Sequence, residues 1–178
     1  MEIVAVQQQY TDYLRDFDKR VSKNLDKIYI RPYLGALVTI GQLKYFAPLT
    51  SQSKGKSLAE NPKKESITFY PIDDCRLGGI NLNNMIPLVD GVYEKYELAK
   101  VLNKVQRQLH EKQIIDLRKN AAHIVAKAEK IYKLKIGRKL YPNYDDVTCD
   151  FKKLETAAKL YNSKKKLNSA PKKRRSNS

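Results

Sequence analysis

Two adjacent hydroxyls, Thr50 and Ser51, follow the run Lys44-Tyr45-Phe46-Ala47-Pro48-Leu49, and Lys54 stands three residues past Ser51. Two readings of the pair stand. In one, it is a serine/threonine turn that caps a strand. In the other, the hydroxyls and nearby amides contact a phosphate while Lys54 supplies a point charge. The preceding run is half of an expected hairpin. Tyr29 to Ile40 is β-rich, Gly41-Gln42 reads as a tight turn, and Leu43 to Leu49 returns. A turn there pairs residues whose numbers sum to about 83, which puts Arg31 opposite Gln52. Arg31, Tyr33, Thr50, Ser51 and Lys54 would then gather at one end of a sheet.

A second group lies on an expected helix. Lys119, His123, Lys127 and Lys130 stand at 4-4-3 spacing beside an apolar face of Ile124, Ala128 and Ile131. The stripe is either a solvated helix face or a cationic surface for a polyanion. His123 is its one group that titrates near neutral pH. His110 has no comparable neighbours and reads as a surface histidine. Tyr29, Tyr33 and Tyr45 could stack on unpaired bases, or they are core residues. Asp73-Asp74 and Asp145-Asp146 are acidic turns that a metal could use, and no familiar metal, phosphate-loop or nucleophile-elbow motif is present.

The charge is strongly uneven. Of a net +16, residues 1–98 carry only +1, residues 99–142 carry +9, residues 143–151 carry −3 and residues 152–178 carry +9. A basic field confined to one half attracts polyanions, nucleic acid foremost. No apolar run approaches a membrane span, and the first residues lack a secretory signal's pattern. A bacterial cytoplasmic location with Cys75 and Cys149 as free thiols is the expectation.

The elements that must position these groups give an α+β fold. Ile3 to Gln8 alternates weakly as a strand. Tyr10 to Phe17 reads as a helix with Thr11 as its cap, and Tyr10, Leu14, Phe17 and Val21 fall on one face. Residues 50–65 read as an exposed loop. Ser66 to Ile72, residues 78–82 and residues 85–89 are strand-like, with a polar Asn83-Asn84 step. Beyond residue 94 the period becomes helical: Leu98, Val101/Leu102, Val105 and Leu109 share one face, and Ile114, Leu117, Ala121, Ile124, Ala128 and Ile131 continue it. Gly137 is a stop signal followed by Pro142, and Phe151 to Tyr161 is a short amphipathic helix. Residues 1–162 are expected to form one domain, and 163–178 a basic disordered tail. Pro171-Lys172-Lys173-Arg174-Arg175 within it resembles a localisation signal as much as an RNA-held arm.

Taken in order, several segments resemble the ToxN/AbiQ family of endoribonuclease toxins from type III toxin–antitoxin systems. They are the helix Tyr10–Val21, Arg31-Pro32-Tyr33-Leu34-Gly35, the run Lys44 to Ser51, Ile80-Asn81-Leu82-Asn83-Asn84-Met85-Ile86-Pro87, and the helical Gln113…Arg118-Lys119-Asn120…His123-Ile124…Lys127-Ala128. The resemblance implies a bent antiparallel β core like that of the Kid/MazF toxins, with added helices. It implies metal-independent cleavage of single-stranded RNA without a cofactor, leaving 2′,3′-cyclic phosphate and 5′-OH ends. It also implies inhibition by a repetitive pseudoknot antitoxin RNA, RNA-mediated higher-order assembly, and a part in aborting phage infection. Thr50, Ser51, Arg31 and Lys54 match catalytic positions, and Arg118 and Asn120 match the helical set. His123 departs from the family pattern, which has lysine there. A non-catalytic basic RNA-binding module is the alternative.

Overall fold

The computed structural model describes residues 2–23, 31–50, 66–101 and 103–169. Its sheet is antiparallel throughout. The strands are β1 (Glu2–Val6), β2 (Pro32–Ile40), β3 (Leu43–Thr50), β4 (Phe69–Pro71), β5 (Gly79–Asn81), β6 (Ile86–Leu88) and β7 (Tyr93–Lys95), in the order β4-β5-β3-β2-β1-β7 with β6 also on β3. The helices are α1 (Gln8–Phe17), α2 (Lys104–Lys119), α3 (Ala121–Ile136), α4 (Pro142–Asp145) and α5 (Phe151–Ser169). The α+β class expected from the pattern is observed.

The β2–β3 hairpin organises the molecule. Gly41, at φ 59°, and Gln42 form its turn, and Ile40 pairs with Leu43. The register then changes. Val38 pairs with Tyr45, but Leu34 pairs with Ala47, so three residues of β2 face one of β3. Gly35 lies in this bulge because a Cβ there would come within 2.0 Å of the Phe46 ring. Beyond the bulge Tyr33 pairs with Pro48, and the same register carries Arg31 to Thr50 rather than to Gln52. One edge of β3 is shared: Lys44 to Phe46 pair with β6, whereas Leu49 and Thr50 pair with β5.

Helices bury their apolar faces on this sheet. Ile124, Ala128, Ile131 and Tyr132 of α3 join Phe151, Leu154, Ala157 and Ala158 of α5 in the core with Tyr45 and Phe46. Glu155 enters the core as well, taking hydrogen bonds from Tyr45 (3.0 Å), Tyr132 (2.5 Å) and Lys152 (3.0 Å). A buried carboxylate is tolerable only with such partners. Gly137 ends α3 and Pro142 opens α4, as the stop signals indicate.

Several expectations change. α1 starts at Gln8, so Thr11 lies inside it and donates to the Gln8 carbonyl instead of capping. Val21 is buried but lies beyond α1. The long helix is two, each of 16 residues, broken at Asn120. The expected face at Leu98, Val105 and Leu109 does not form: Leu98 is in a short 3₁₀ turn and Val105 is 76% exposed. α5 runs past Tyr161 to Ser169, and Lys165 Nζ donates to the carbonyls of Asp90 and Gly91. β7 was not legible because its residues, Tyr-Glu-Lys, are mostly exposed on an edge.

Candidate active site

The end of β3 carries the first half of the site. Thr50 pairs with Gly79 of β5, where any side chain would strike the Phe69 ring. Thr50 is 4% exposed, and its Oγ1 has no hydrogen-bond partner among the described residues. The strand-capping reading asks for such a bond, so this hydroxyl does not serve as a cap to any described residue. Across the hairpin, Arg31 Nη1 donates to the Leu49 carbonyl at 3.1 Å, and Nε donates to the Lys23 carbonyl at 3.3 Å. Two carbonyls therefore hold a half-buried guanidinium next to Thr50. In an antiparallel pair, cross-strand partners and alternate residues share a face, so Arg31, Tyr33, Pro48 and Thr50 lie on the same one.

Tyr33 and Tyr45 do not offer stacking faces. Both are fully buried, which corrects their assignment as base platforms. Tyr45 donates to Glu155 and packs edge-on against Tyr132 and Phe151. Tyr33 sits under the Arg31 side, where burial pushes its hydroxyl well above the usual tyrosine range, opposed by the nearby Arg31 charge. Its OH also has no partner among the described residues. Ser51, Lys54 and Tyr29 lie outside the described residues.

The loop that supplies Lys23 is anchored. Asp18 accepts from Arg20 Nε (2.9 Å) and Nη2 (3.0 Å) and from the Asp150 amide (2.7 Å). Burial disfavours its charge, but these bonds hold the carboxyl below the usual aspartate range. Asn84 Nδ2 donates to the Arg20 carbonyl at 2.7 Å and reaches Cys149 Sγ at 3.9 Å. Burial pushes the Cys149 thiol up to about 12, so it is no nucleophile. Cys149 and Cys75 are both free.

The helical set arrives from the other side. Asn120 breaks the helix and donates through Nδ2 to the Asp116 carbonyl at 3.0 Å. Arg118 and Lys119 are exposed in the last turn of α2, while His123 and Lys127 belong to α3. The expected continuous stripe is thus split by the junction. His123 meets the Tyr70 ring edge-on at 5.7 Å. Tyr70 lies in β4, in the row Leu49–Ile80–Tyr70 across β3, β5 and β4. Two strand spacings, about 10 Å, separate that row's ends. Through His123, the helical set therefore meets the β4 edge, two strands from the β3 end.

Gln113, quoted in the resemblance, and Tyr70 and Asp116 had no role assigned from the sequence. Gln113 Nε2 donates to the Leu77 carbonyl at 2.6 Å. Their signal was the polar spacing Gln113, Asp116, Asn120 beside the buried Leu117. His110, expected on the surface, is buried and its Nδ1 lies 3.1 Å from the Tyr96 hydroxyl. The acidic turns are engaged: Asp73 pairs with Arg76 and Asp145 with Lys135, each at 2.8 Å. Among the described residues, no three metal-binding side chains cluster. No described helix is long and apolar enough to cross a membrane.

Comparison with known proteins bears on the same regions. The family described as toxin ToxN of type III toxin–antitoxin systems matches residues 2–159. An endoribonuclease ToxN of Bacillus thuringiensis subsp. kurstaki is 30% identical over 164 residues, covering 88% of this chain and 82% of the relative. The endoribonuclease AbiQ of Lactococcus lactis subsp. lactis is 29% identical over 170 residues, covering 92% and 91%. A solved structure of AbiQ, a lactococcal anti-phage endoribonuclease of a type III system, superposes with a TM-score of 0.77 at 28% identity, covering 91% of this chain and 98% of that one. Another, concerned with selective toxin inhibition by a non-coding RNA pseudoknot, gives 0.73 at 29% identity, covering 90% and 97%. This chain belongs to the ToxN family of type III toxin–antitoxin toxins.

Proposed function

We propose that the protein is a metal-independent, sequence-selective endoribonuclease toxin acting in the bacterial cytoplasm. Its inhibitor is a repetitive, pseudoknot-forming antitoxin RNA, its targets are cellular or phage RNAs, and its role is abortive phage infection. Toxin and antitoxin RNA join in higher-order assemblies, and the core is of the bent Kid/MazF kind. One observation carries the chemical reading: a buried Thr50 hydroxyl without a described partner, beside a guanidinium fixed by two carbonyls.

The reaction that such a site serves is an internal transesterification. The ribose 2′-oxygen attacks the adjacent phosphorus and loses its proton as the bond to the 5′-oxygen breaks. The leaving oxygen takes up a proton, and the products are a 2′,3′-cyclic phosphate and a 5′-OH. An internal nucleophile needs alignment above all. Thr50 and Ser51 hydroxyls align the phosphate, while Arg31 and Lys54 offset the charge that grows on its oxygens. Thr50 Oγ1 has no activating base among the described residues, and the hydroxyl pair is read as aligning the phosphate rather than as a covalent nucleophile. The helix surface of Arg118, Lys119, Asn120, His123 and Lys127, cationic through its arginine and lysines, holds the flanking RNA through its backbone.

The test is Ser51→Ala. It is expected to abolish RNA cleavage and growth arrest while leaving folding and antitoxin-RNA binding intact. Full activity in that variant would overturn the assignment of Ser51. Harmless expression of the wild type with no cleaved transcripts would favour a non-catalytic RNA-binding module.

A further inference from the structure

A cavity of about 430 Å³ opens at the turn end of the β2–β3 hairpin, away from Thr50 and Arg31. Ile40, Leu43 and Val89 supply its apolar lining, and the last two are buried. Gln42 of the hairpin turn, Asp90 after β6, and Lys159 and Asn162 of α5 supply its polar lining. Its mouth is open to solvent. Gln42 and Lys159 are exposed, and a Cβ placed on Gly41 would meet nothing within 4 Å.

The wall of the cavity is held in place. Lys165 Nζ donates to the Gly91 carbonyl at 3.0 Å and to the Asp90 carbonyl at 3.5 Å. A Cβ on Gly91, at φ 73°, would come within 2.6 Å of that ammonium, so the glycine lets α5 close on the turn after β6. Asp90 and Asn162 therefore face the cavity from elements already tied together, which lowers the cost of ordering a ligand. The ToxN family match ends at residue 159, so Asn162 and the Lys165 tie lie past it.

The volume is in the range of small-ligand sites, and an apolar lining with a few convergent polar groups is their usual make-up. Lys159 makes no ion pair among the described residues. With Lys165 and Asp90 it leaves the rim one positive charge in excess. A single nucleotide of an RNA strand meets each condition. Its base has flat apolar faces for Ile40, Leu43 and Val89, and its one phosphate charge suits Lys159. Side-chain carboxamides pair with the N6 and N7 of adenine, and unpaired RNA bases are read on such edges. Asp90 accepts from an amino group and repels a phosphate, which directs the phosphate toward α5. The eight residues of β3 separate this cavity from Thr50 by about 23 Å along the strand, so it does not take the nucleotide being cut.

We infer that this cavity is a second RNA subsite, which seats one unpaired adenine nucleotide of a strand whose other part lies at the β3 end. The inference rests on the RNA-cleaving reading for its partner, and adds a contact that holds RNA without taking part in cleavage.

The test measures binding of fluorescein-labelled 2′-O-methyl RNA 12-mers, all adenine or all uracil, to the full-length protein. These strands lack the attacking 2′-hydroxyl and bind without being cut. The wild type should bind the adenine strand about tenfold more tightly. Asn162→Leu and Gln42→Ala should each lose most of that preference while keeping the uracil affinity and the cleavage rate on a short RNA. Lys159→Ala should weaken both strands and lower the salt slope by about 0.7. Equal binding of the two strands by the wild type would overturn the subsite, even where a variant fails to fold. A preference that survives in folded Asn162→Leu and Gln42→Ala would overturn its placement in this cavity. Adenosine monophosphate binding as tightly as the 12-mer would overturn the RNA strand as the partner, in favour of a small nucleotide ligand. A wild type that cleaves no RNA yet shows the Asn162-dependent preference would overturn the nuclease reading and leave the subsite standing.

Discussion

The Arg31 guanidinium reaches across the hairpin to the carbonyl oxygen of Leu49, 3.1 Å away, and so comes to rest beside Thr50. Its second carbonyl contact, to Lys23, fixes the plane of the fork. Lysine can supply the charge here but not two donors in that geometry. Arg31→Ala is expected to lower the single-turnover cleavage rate by about 10² to 10³, the range for loss of a donor to transition-state charge. Arg31→Lys should fall between that variant and the wild type.

Thr50 separates a structural from a chemical role. Its hydroxyl is buried without a described partner, so removing the oxygen while keeping the shape relieves a cost. Thr50→Val should leave the urea midpoint unchanged or raise stability by about 1 kcal/mol. The same variant should cut RNA at least tenfold more slowly. A loss of stability with unchanged cleavage would return Thr50 to the capping role.

Glu155 ties α5 to the core. Burial opposes its charge, but hydrogen bonds from Tyr132, Lys152 and Tyr45 hold its carboxyl below the usual glutamate range. A carboxyl lowered in the fold adds stability above its ordinary range, and that contribution is lost as pH falls through the folded value. Glu155→Gln should cost about 1.5 to 3 kcal/mol near neutral pH, as expected for bonds to a charged group. Denaturant titrations from pH 7 down to pH 3 should show a shallower acid loss in Glu155→Gln than in the wild type.

His110 acts in a higher pH window. Burial beside Tyr96 lowers its pKa from the ordinary value of 6.5. The unfolded chain then takes up the proton first as pH falls. Stability is full above the ordinary histidine range and declines as pH drops from there through the lowered folded value. The melting temperature should fall between pH 7.5 and pH 5, and His110→Gln should flatten that slope.

The legible parts of this fold were those in which local chemistry and tertiary packing agree. The β2–β3 hairpin followed from Gly41-Gln42 between two apolar runs, and α3 from the spacing of Ile124, Ala128 and Ile131. The bulge did not follow, since it depends on Phe46 packing over Gly35, a contact between strands. It is this bulge that moves Arg31 from Gln52 to Thr50. The helix break at Asn120 was hidden because the apolar period runs through it. Tyr33 and Tyr45 were left between base platform and core because an aromatic on a strand looks alike in a core and in a groove, and the structure places both in the core. His110 was misread for a related reason: its burial comes from Tyr96, a residue outside its own helix.

End-group analysis tests the central claim most directly. Purified protein would be incubated with a single-stranded RNA in excess EDTA, and the termini of the fragments identified by mass spectrometry and by their response to polynucleotide kinase. The account predicts undiminished cleavage with 2′,3′-cyclic phosphate and 5′-OH ends. Cleavage that stops in EDTA, or fragments with 3′-OH and 5′-phosphate ends, would contradict it.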